Sequence, residues 1–275
     1  MRRFYYLIFI TILSPLFSPA QGNLLITPMR VVFEGQKKVQ ELNLANTGQD
    51  TARYLISLIE IRMNSNGSFE TISEPDSGQL FASKFLRLFP RSVTLAPGEA
   101  QLVKVQLTKT GQLQEGEYRS HIYFRAAPDI KVQGESSRNS DTSTISVKLT
   151  PVFGISIPVI IRTGPAELKV SLTDISLETK ENVPPHLKMT LRRTGNHSSY
   201  GDINVDHVSE KGKVTTIATV KGLAVYTPTP YRQFDMELEK KPGINYHHGK
   251  LRITYTAQSK GTVSDPLAEA ELQLH

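Results

Sequence analysis

The chain has 275 residues, of which 39% are hydrophobic and 21% are charged. Compact domains usually contain about 100 to 200 residues, so the length predicts two domains with packed cores. The sequence has no cysteine, which excludes disulfides, thiolate metal sites and thiol nucleophiles. Its formal net charge of +6 is spread along the chain, and basic residues form no run longer than a pair, so we expect no nucleic-acid-binding face.

Residues 1–20 have the features of a secretory signal peptide. Two arginines precede an apolar segment from Phe4 to Phe17, and small residues end at Ala20. The apolar segment is shorter than the roughly 20 residues that cross a bilayer. We therefore predict cleavage before Gln21 and an exported mature chain without a membrane span. An uncleaved amino-terminal anchor is the alternative interpretation.

Apolar and polar residues alternate through most of the chain, which indicates β-strands because successive side chains of a strand point to opposite faces. Arg162–Pro165 breaks this pattern and is interpreted as an interdomain linker. The predicted fold class is all-β, with two tandem β-sandwich domains at residues 21–162 and 163–275. The clearest predicted strands are Leu42–Leu44, Tyr54–Ile61, Tyr118–Arg125, Leu187–Leu191, Phe234–Leu238, Leu251–Tyr255 and Ala268–Leu272.

Two further local predictions concern the middle of the first domain. Val93–Leu95 and Leu102–Leu107 flank Pro97 and Gly98, which predicts a β-hairpin with these turn residues at its tip. Leu80–Leu88 is the segment whose apolar spacing fits a short helix.

The end of the first domain combines a loop with a long strand. Residues 128–144 are polar and rich in Ser, Gly and Asp, which predicts a loop. The segment Ile145–Ile161 that follows is predicted as a strand, and its two prolines and one glycine place it at a sheet edge. Within this strand Ile145, Val147 and Leu149 form an apolar row on one face.

The sequence contains none of the nucleophile-elbow, phosphate-loop, dinucleotide or zinc-protease motifs. His247 and His248 are adjacent and would point to opposite faces of a strand, so they are interpreted as turn residues and not as metal ligands. His121 lies in a predicted strand and is interpreted as a half-buried structural imidazole. We therefore expect a protein that is not an enzyme and that uses no cofactor or metal.

Six segments, in chain order, resemble the periplasmic pilus chaperones of the chaperone-usher pathway, the PapD-like family. The match covers most of residues 22–162, whereas the second domain resembles the family only in length and β content. The matching segments are Arg30–Gly35, Leu42–Asn46, Tyr54–Ser57, Phe89–Gly98, Tyr118–Arg125 and Ile145–Pro158.

The resemblance implies two immunoglobulin-like domains in a boomerang arrangement. Such a protein binds a pilus or fimbrial subunit in the periplasm and delivers it to an outer-membrane usher. The family lends the last strand of its first domain to the subunit, through backbone hydrogen bonds and alternating side chains. The resemblance assigns this donor role to Ile145, Val147 and Leu149. The alternative is that the same row packs into the core of its own domain.

Arg30 matches the first-strand arginine that, in this family, anchors the terminal carboxylate of the subunit. A guanidinium stays charged and can bind a carboxylate through two hydrogen bonds; the alternative is an ordinary edge-strand arginine. The family adds a lysine on its last strand, but counting back from Pro158 places Phe153 there. Because Thr150–Pro158 carries no charge, we also expect the last-strand charge of the family's interdomain network to be missing.

Two other classes of function stay compatible with the sequence. The protein could be an exported structural or adhesive β-sandwich protein that lends no strand. It could also be a secreted hydrolase, which would need a group of carboxylates or histidines assembled only by the fold.

Overall fold

The computed structural model describes residues 24–127, 152–180, 183–258 and 265–275. Eleven strands up to Thr163 and seven strands from Leu168 onward form separate groups of sheets. The predicted all-β fold with two sandwiches in tandem is confirmed. The predicted signal peptide, the loop at 128–144 and the row Ile145, Val147 and Leu149 lie outside the described residues.

The first sandwich contains two main sheets, which we call sheet I, in the order β1-β3-β9-β7, and sheet II, in the order β2-β11-β10-β4-β8. A small hairpin, β5-β6, stands apart from them. The strands are β1 Leu24–Thr27, β2 Val31–Phe33, β3 Val39–Asn46, β4 Ala52–Ile59, β5 Ile61–Met63, β6 Phe69–Thr71, β7 Leu86–Phe89, β8 Ser92–Leu95, β9 Ala100–Leu107, β10 Gly116–Ala126 and β11 Gly154–Thr163. Short 3₁₀ turns occupy Ser83–Phe85 and Thr110–Gln112.

The core of the first sandwich is built from the inward-facing residues of both sheets. Alternation brings every second side chain of a strand to this face, and burying each large aliphatic side chain contributes about 1.5–3 kcal/mol. Fully or almost fully buried members are Leu42, Leu44, Val103 and Val105 from sheet I and Ile122, Phe124, Ile157 and Val159 from sheet II.

The first two strands lie in different sheets. β1 pairs antiparallel with β3, with Leu24 opposite Asn46, whereas β2 pairs parallel with β11, with Val31 opposite Val159. The segment from Pro28 to Arg30 therefore joins sheet I to sheet II.

The second sandwich consists of sheet III, in the order β12-β13-β16, and sheet IV, in the order β15-β14-β17-β18. Its core contains Leu187, Leu191, Ile203, Val205 and Ile253, all with almost no exposed surface. The strands are β12 Leu168–Lys180, β13 Val183–Gly195, β14 Ser199–Val208, β15 Val214–Val225, β16 Tyr231–Glu237, β17 Lys250–Ala257 and β18 Pro266–Gln273.

The predicted hairpin at Val93–Leu107 is wrong. β8 pairs with β4 in sheet II, whereas β9 pairs with β3 and β7 in sheet I, so the turn between them carries the chain from one sheet to the other. Asn46 fixes this turn, because its Nδ2 donates to the Leu95 carbonyl at 3.0 Å and its own carbonyl accepts from the Gly98 amide at 2.9 Å. Alternation identifies the strands but does not say which sheet each one joins.

The predicted short helix at Leu80–Leu88 is also wrong. The segment forms the 3₁₀ turn Ser83–Phe85 and then β7, whose Leu86 and Leu88 point into the core in strand alternation. The Ser120 hydroxyl stabilises the turn by accepting hydrogen bonds from the amides of Ala82 and Ser83, both at 2.9 Å.

The clearest predicted strands are confirmed as parts of β3, β4, β10, β13, β16, β17 and β18. The run Tyr54–Ile61 is interrupted at Glu60, which separates β4 from β5. Arg162 and Thr163, predicted as linker, belong to β11 and pair with Glu117 and Gly116. The connection between the sandwiches therefore starts at Gly164, whose φ of +76° favours glycine.

Candidate functional site

Arg30 lies where the two sandwiches meet. It directly precedes β2, and its guanidinium carbon is 4.3 Å from the ring centre of Tyr200 and 5.6 Å from that of Tyr226. Its Nη1 also donates to the Tyr226 hydroxyl at 3.4 Å. Both tyrosines belong to the second sandwich, Tyr200 in β14 and Tyr226 just after β15. A half-buried cation thus rests on two aromatic faces, a favourable arrangement for a guanidinium.

Arg119 approaches the same tyrosine from β10. Its guanidinium carbon is 4.6 Å from the Tyr226 ring centre, and its Nη2 donates to the Thr227 carbonyl at 3.4 Å. The residue is only 2% exposed, and burial lowers its pKa from the ordinary value. Arg30, Arg119, Tyr200 and Tyr226 are called the arginine–tyrosine cluster below.

His121 lies beside this cluster, two residues further along β10, and is more deeply buried than predicted. Its ring packs edge-on against Phe69 and Tyr226, at 5.7 and 6.3 Å between ring centres. Burial, reinforced by the positive charges of Arg119 and Arg30, lowers its pKa to about 3. The imidazole is therefore neutral at physiological pH and acts as a packing group.

In a second group of residues at the same junction, the charges are paired with one another. The Glu117 carboxylate, with no exposed side-chain surface, accepts from Arg162 Nε at 2.9 Å and from the Ser198 amide at 3.0 Å. The Ser198 hydroxyl is a third donor to this carboxylate. Arg162 also pairs with Glu34 at 2.7 Å. Glu34, Glu117, Arg162 and Ser198 are called the ion-pair network below.

The ion-pair network joins the two sandwiches, because Ser198 belongs to the second one and Arg162 Nη2 donates to its carbonyl at 3.2 Å. Burial alone would raise the pKa of Glu117, but Arg162 and the two Ser198 donors hold it below the ordinary value. The expectation that the last strand lacks a charge for the interdomain network is therefore wrong. Arg162 supplies that charge from the end of β11, just past the apolar segment on which the expectation was based.

Apolar side chains fill the space between these charged groups. Ile160 of β11, Met63 of β5 and Tyr226 form a small buried cluster with Ala224 at the junction. The β5-β6 hairpin also makes polar contacts with the second sandwich: the Met63 carbonyl accepts from Thr229 Oγ1 at 2.8 Å, and the Ser65 carbonyl accepts from the Gln233 amide at 2.7 Å. The junction is thus a packed interface and not a hinge of bare backbone.

One edge of β11 is only partly covered. β10 pairs with its whole length, from Gly154 to Thr163, but β2 pairs only with Val159–Ile161. Within the described residues, no strand pairs with the β2 side of Gly154–Pro158. This uncovered stretch, called the free edge below, is preceded by Val152 and Phe153, which are about half exposed (49% and 50%).

The structure places Arg30 and Phe153 at opposite ends of the free edge. Arg30 lies at the junction, next to Val31 and so at the level where β2 stops covering β11. Phe153, predicted to replace the family's lysine, lies just outside β11 with its side chain half exposed. The predicted donor residues Ile145, Val147 and Leu149 lie outside the described residues, and their role stays a prediction.

Besides Arg30, the sequence analysis assigned no site role to the members of the two groups: Arg119, Tyr200 and Tyr226 of the arginine–tyrosine cluster, and Glu34, Glu117, Arg162 and Ser198 of the ion-pair network. Arg119 lies in the predicted strand Tyr118–Arg125, and Glu117 directly precedes that strand. Their partners, however, lie in the other domain, as in the bond from Ser198 to Glu117 across 81 residues. No local pattern predicts such a contact.

The part of the chain that the structure describes contains neither a metal-binding group nor a membrane-spanning helix. Within the described ranges, no group of three or more His, Asp or Glu residues could hold a metal ion. The same part of the chain contains no helix that is long and apolar enough to cross a membrane. His247 and His248 lie in a turn, as predicted.

No family model and no curated protein matches this chain. Among solved structures, the YadV chaperone is 12% identical over 92% of this chain and 100% of its own, with a TM-score of 0.44. The E. coli chaperone DraB is 11% identical over 92% of this chain and 96% of its own, with a TM-score of 0.43. A chain of the Salmonella enterica complex of SafA pilin with the SafB chaperone is 13% identical, covers 91% and 96%, and has a TM-score of 0.41.

Proposed function

We propose that this protein is an exported chaperone that binds a pilus, fimbrial or related surface subunit by strand complementation, without catalytic turnover. The observation that carries the proposal is the free edge of β11 ending beside Arg30. Unpaired backbone groups of an edge strand are a template for a strand from another chain.

The direction of the strands supports a defined way of binding. β2 runs parallel to β11 and occupies its edge from Val159 onward. A guest strand that adds to Gly154–Pro158 in the same direction would end where β2 begins. Its terminal carboxylate would then lie next to the Arg30 guanidinium, which remains half-buried and faces no carboxylate partner among the described residues. Charge-assisted hydrogen bonds of this type are about twice as strong as neutral ones.

The remaining parts of the proposal follow from the sequence. Residues 1–20 would direct the chain to the periplasm, and Ile145, Val147 and Leu149 would insert into the groove of the subunit as an extension of the free edge. Delivery of the captured subunit to an outer-membrane usher would complete the pathway. Because this chain has Phe153 where the resemblance places a lysine, the proposed anchor uses no basic side chain at that position.

The test is capture of a subunit from the periplasm. Tagged protein is expressed with residues 1–20, purified from the periplasm, and its partners are identified by mass spectrometry. We expect one stoichiometric partner in the wild type, a strong loss with Arg30→Ala, and no loss with Arg87→Ala, an exposed arginine on β7. Recovery of free monomer alone, with the candidate subunit coexpressed, would overturn the proposal.

A further inference from the structure

The arginine–tyrosine cluster contains two cations and no anion. Arg30 and Arg119 both lie against Tyr226, within 6 Å of its ring centre. Among the described residues, neither guanidinium forms an ion pair with a carboxylate; the ion pairs of this junction belong to Arg162. Two like charges that share one aromatic ring repel each other, and each lowers the stability of the other's charged form.

Arg119 is also poorly satisfied as a hydrogen-bond donor. Its Nε and Nη1 are buried and have no partner among the described residues, and its remaining bond to the Thr227 carbonyl is long at 3.4 Å. The carboxylates nearest in the junction are engaged elsewhere, Glu117 with Arg162 and Ser198, and Glu60 with the Ser120 hydroxyl at 2.7 Å. A buried cation in this state costs folding free energy.

We propose that Arg119 is a positioning residue of the carboxylate site at Arg30, which acts through Tyr226 and supplies the second positive charge of that site. The inference rests on the proposed function, because it concerns the ligand expected there. It assigns to β10 a role that the family resemblance places on the last strand, where this chain has Phe153.

Arg119 would act in two ways. Its guanidinium packs on one ring whose hydroxyl in turn accepts from Arg30 Nη1, so it helps to fix Tyr226 and, through it, the orientation of Arg30. Its charge, held away from water and free of a carboxylate, also adds to the positive potential at Arg30. A terminal carboxylate that docks on Arg30 would neutralise this potential, so the ligand would relieve the repulsion between the two arginines.

The experiment compares two forms of one ligand. A synthetic strand peptide that alternates valine with threonine is prepared with a free carboxyl terminus and as the terminal amide, and binding to the mature protein is measured by calorimetry. In the wild type we expect the acid to bind more tightly than the amide. Arg119→Met should reduce this acid-to-amide ratio on the order of tenfold, because it weakens binding of the acid much more than binding of the amide.

Two further variants separate charge from geometry. Arg119→Lys keeps the charge but not the planar group, and should retain more of the acid-to-amide ratio than Arg119→Met. Tyr226→Phe keeps the ring but removes the hydroxyl that accepts from Arg30, and should lower the ratio without abolishing it. Because the buried guanidinium is unsatisfied, Arg119→Met should unfold at the same denaturant concentration as the wild type or at a higher one.

Several results would overturn the inference. An Arg119→Met protein that loses affinity for acid and amide alike, or that fails to fold, would show that Arg119 is a structural residue. An unchanged ratio would show that it contributes nothing to the site. Equal binding of acid and amide by the wild type would remove the carboxylate site itself, whereas subunit capture from the periplasm could still succeed and would leave the chaperone proposal standing.

Discussion

The same interface between the sandwiches holds two groups of charges with opposite character. In the ion-pair network, the buried Glu117 carboxylate is matched by Arg162 and by two donors from Ser198. In the arginine–tyrosine cluster, Arg30 and Arg119 share aromatic faces and have no carboxylate among the described residues. A satisfied network holds the two sandwiches together, whereas the unsatisfied one is the place where we propose that a charge from a ligand binds.

The largest effect is expected in the ion-pair network. Arg162→Met leaves Glu117 buried without its cation, and breaking a buried pair in this way costs about 3–5 kcal/mol. Urea unfolding near neutral pH, followed by circular dichroism, should show this loss. Lys104→Met is the control, because Lys104 pairs with Glu41 at 3.9 Å on an exposed surface, where such pairs contribute at most about 1 kcal/mol. Similar losses in both variants would contradict a closed network at the junction.

An intermediate effect is expected from His121 and appears only on acidification. The unfolded chain binds a proton at this residue below pH 6.5, whereas in the folded chain its pKa is lowered to about 3. The unfolded state therefore holds more protons in this window, and stability should fall by up to about 1.4 kcal/mol per pH unit as the pH decreases. His121→Gln should flatten this slope, and His247→Gln, in an exposed turn, should not.

The pH range of this unfolding measurement must stay above the pH at which Glu117 binds a proton. The pKa of that carboxyl is lowered from an ordinary value of 4.5, so its stabilising contribution is fully present above this pH and is lost only as the pH falls further. Burial also lowers the pKa of His197, so the contribution of His121 between pH 6.5 and 4.5 is the difference in slope between the wild type and His121→Gln. A slope that is the same in His121→Gln and in the wild type would show that this imidazole is not buried at the junction.

The smallest effect is expected in the loop of the β5-β6 hairpin. Gly67 has a φ of +83°, and a Cβ atom there would overlap the Arg232 guanidinium of the second sandwich. Gly98 has a similar φ of +74° with open space around it. Both Gly→Ala variants should lose about 1–2 kcal/mol from backbone strain, and Gly67→Ala should lose more because Arg232 must move. Equal midpoints in urea would mean that the hairpin does not hold the second sandwich.

The sequence predicted the strands far better than it predicted their partners. Alternation located β10, β13 and β17 because one face of each strand packs in its own core. The predicted hairpin between Val93–Leu95 and Leu102–Leu107 was wrong, because turn residues do not indicate whether the chain passes to another sheet. Arg162 was assigned to the linker because Gly164 and Pro165 follow it, although its own bonds are made to Glu117 and across the junction.

The candidate site was predictable only in part, for the same reason. Arg30 was found from its resemblance to a known motif, which does not depend on the second domain. Arg119 could not be distinguished from a solvent-facing arginine, because the residue that covers it, Tyr226, is far away in the sequence. Sites formed between domains depend on contacts that no local pattern encodes.

The passage of the chain from sheet I to sheet II between β1 and β2 has a mechanical consequence. Arg30 stands on a short segment that β1 fastens to one sheet and β2 to the other. A pulling force on a ligand bound to this arginine would act on two strand pairings at once. These are the antiparallel pairing of β1 with β3 and the parallel pairing of β2 with β11. If the chaperone proposal holds, this shared attachment would carry the load of a bound subunit.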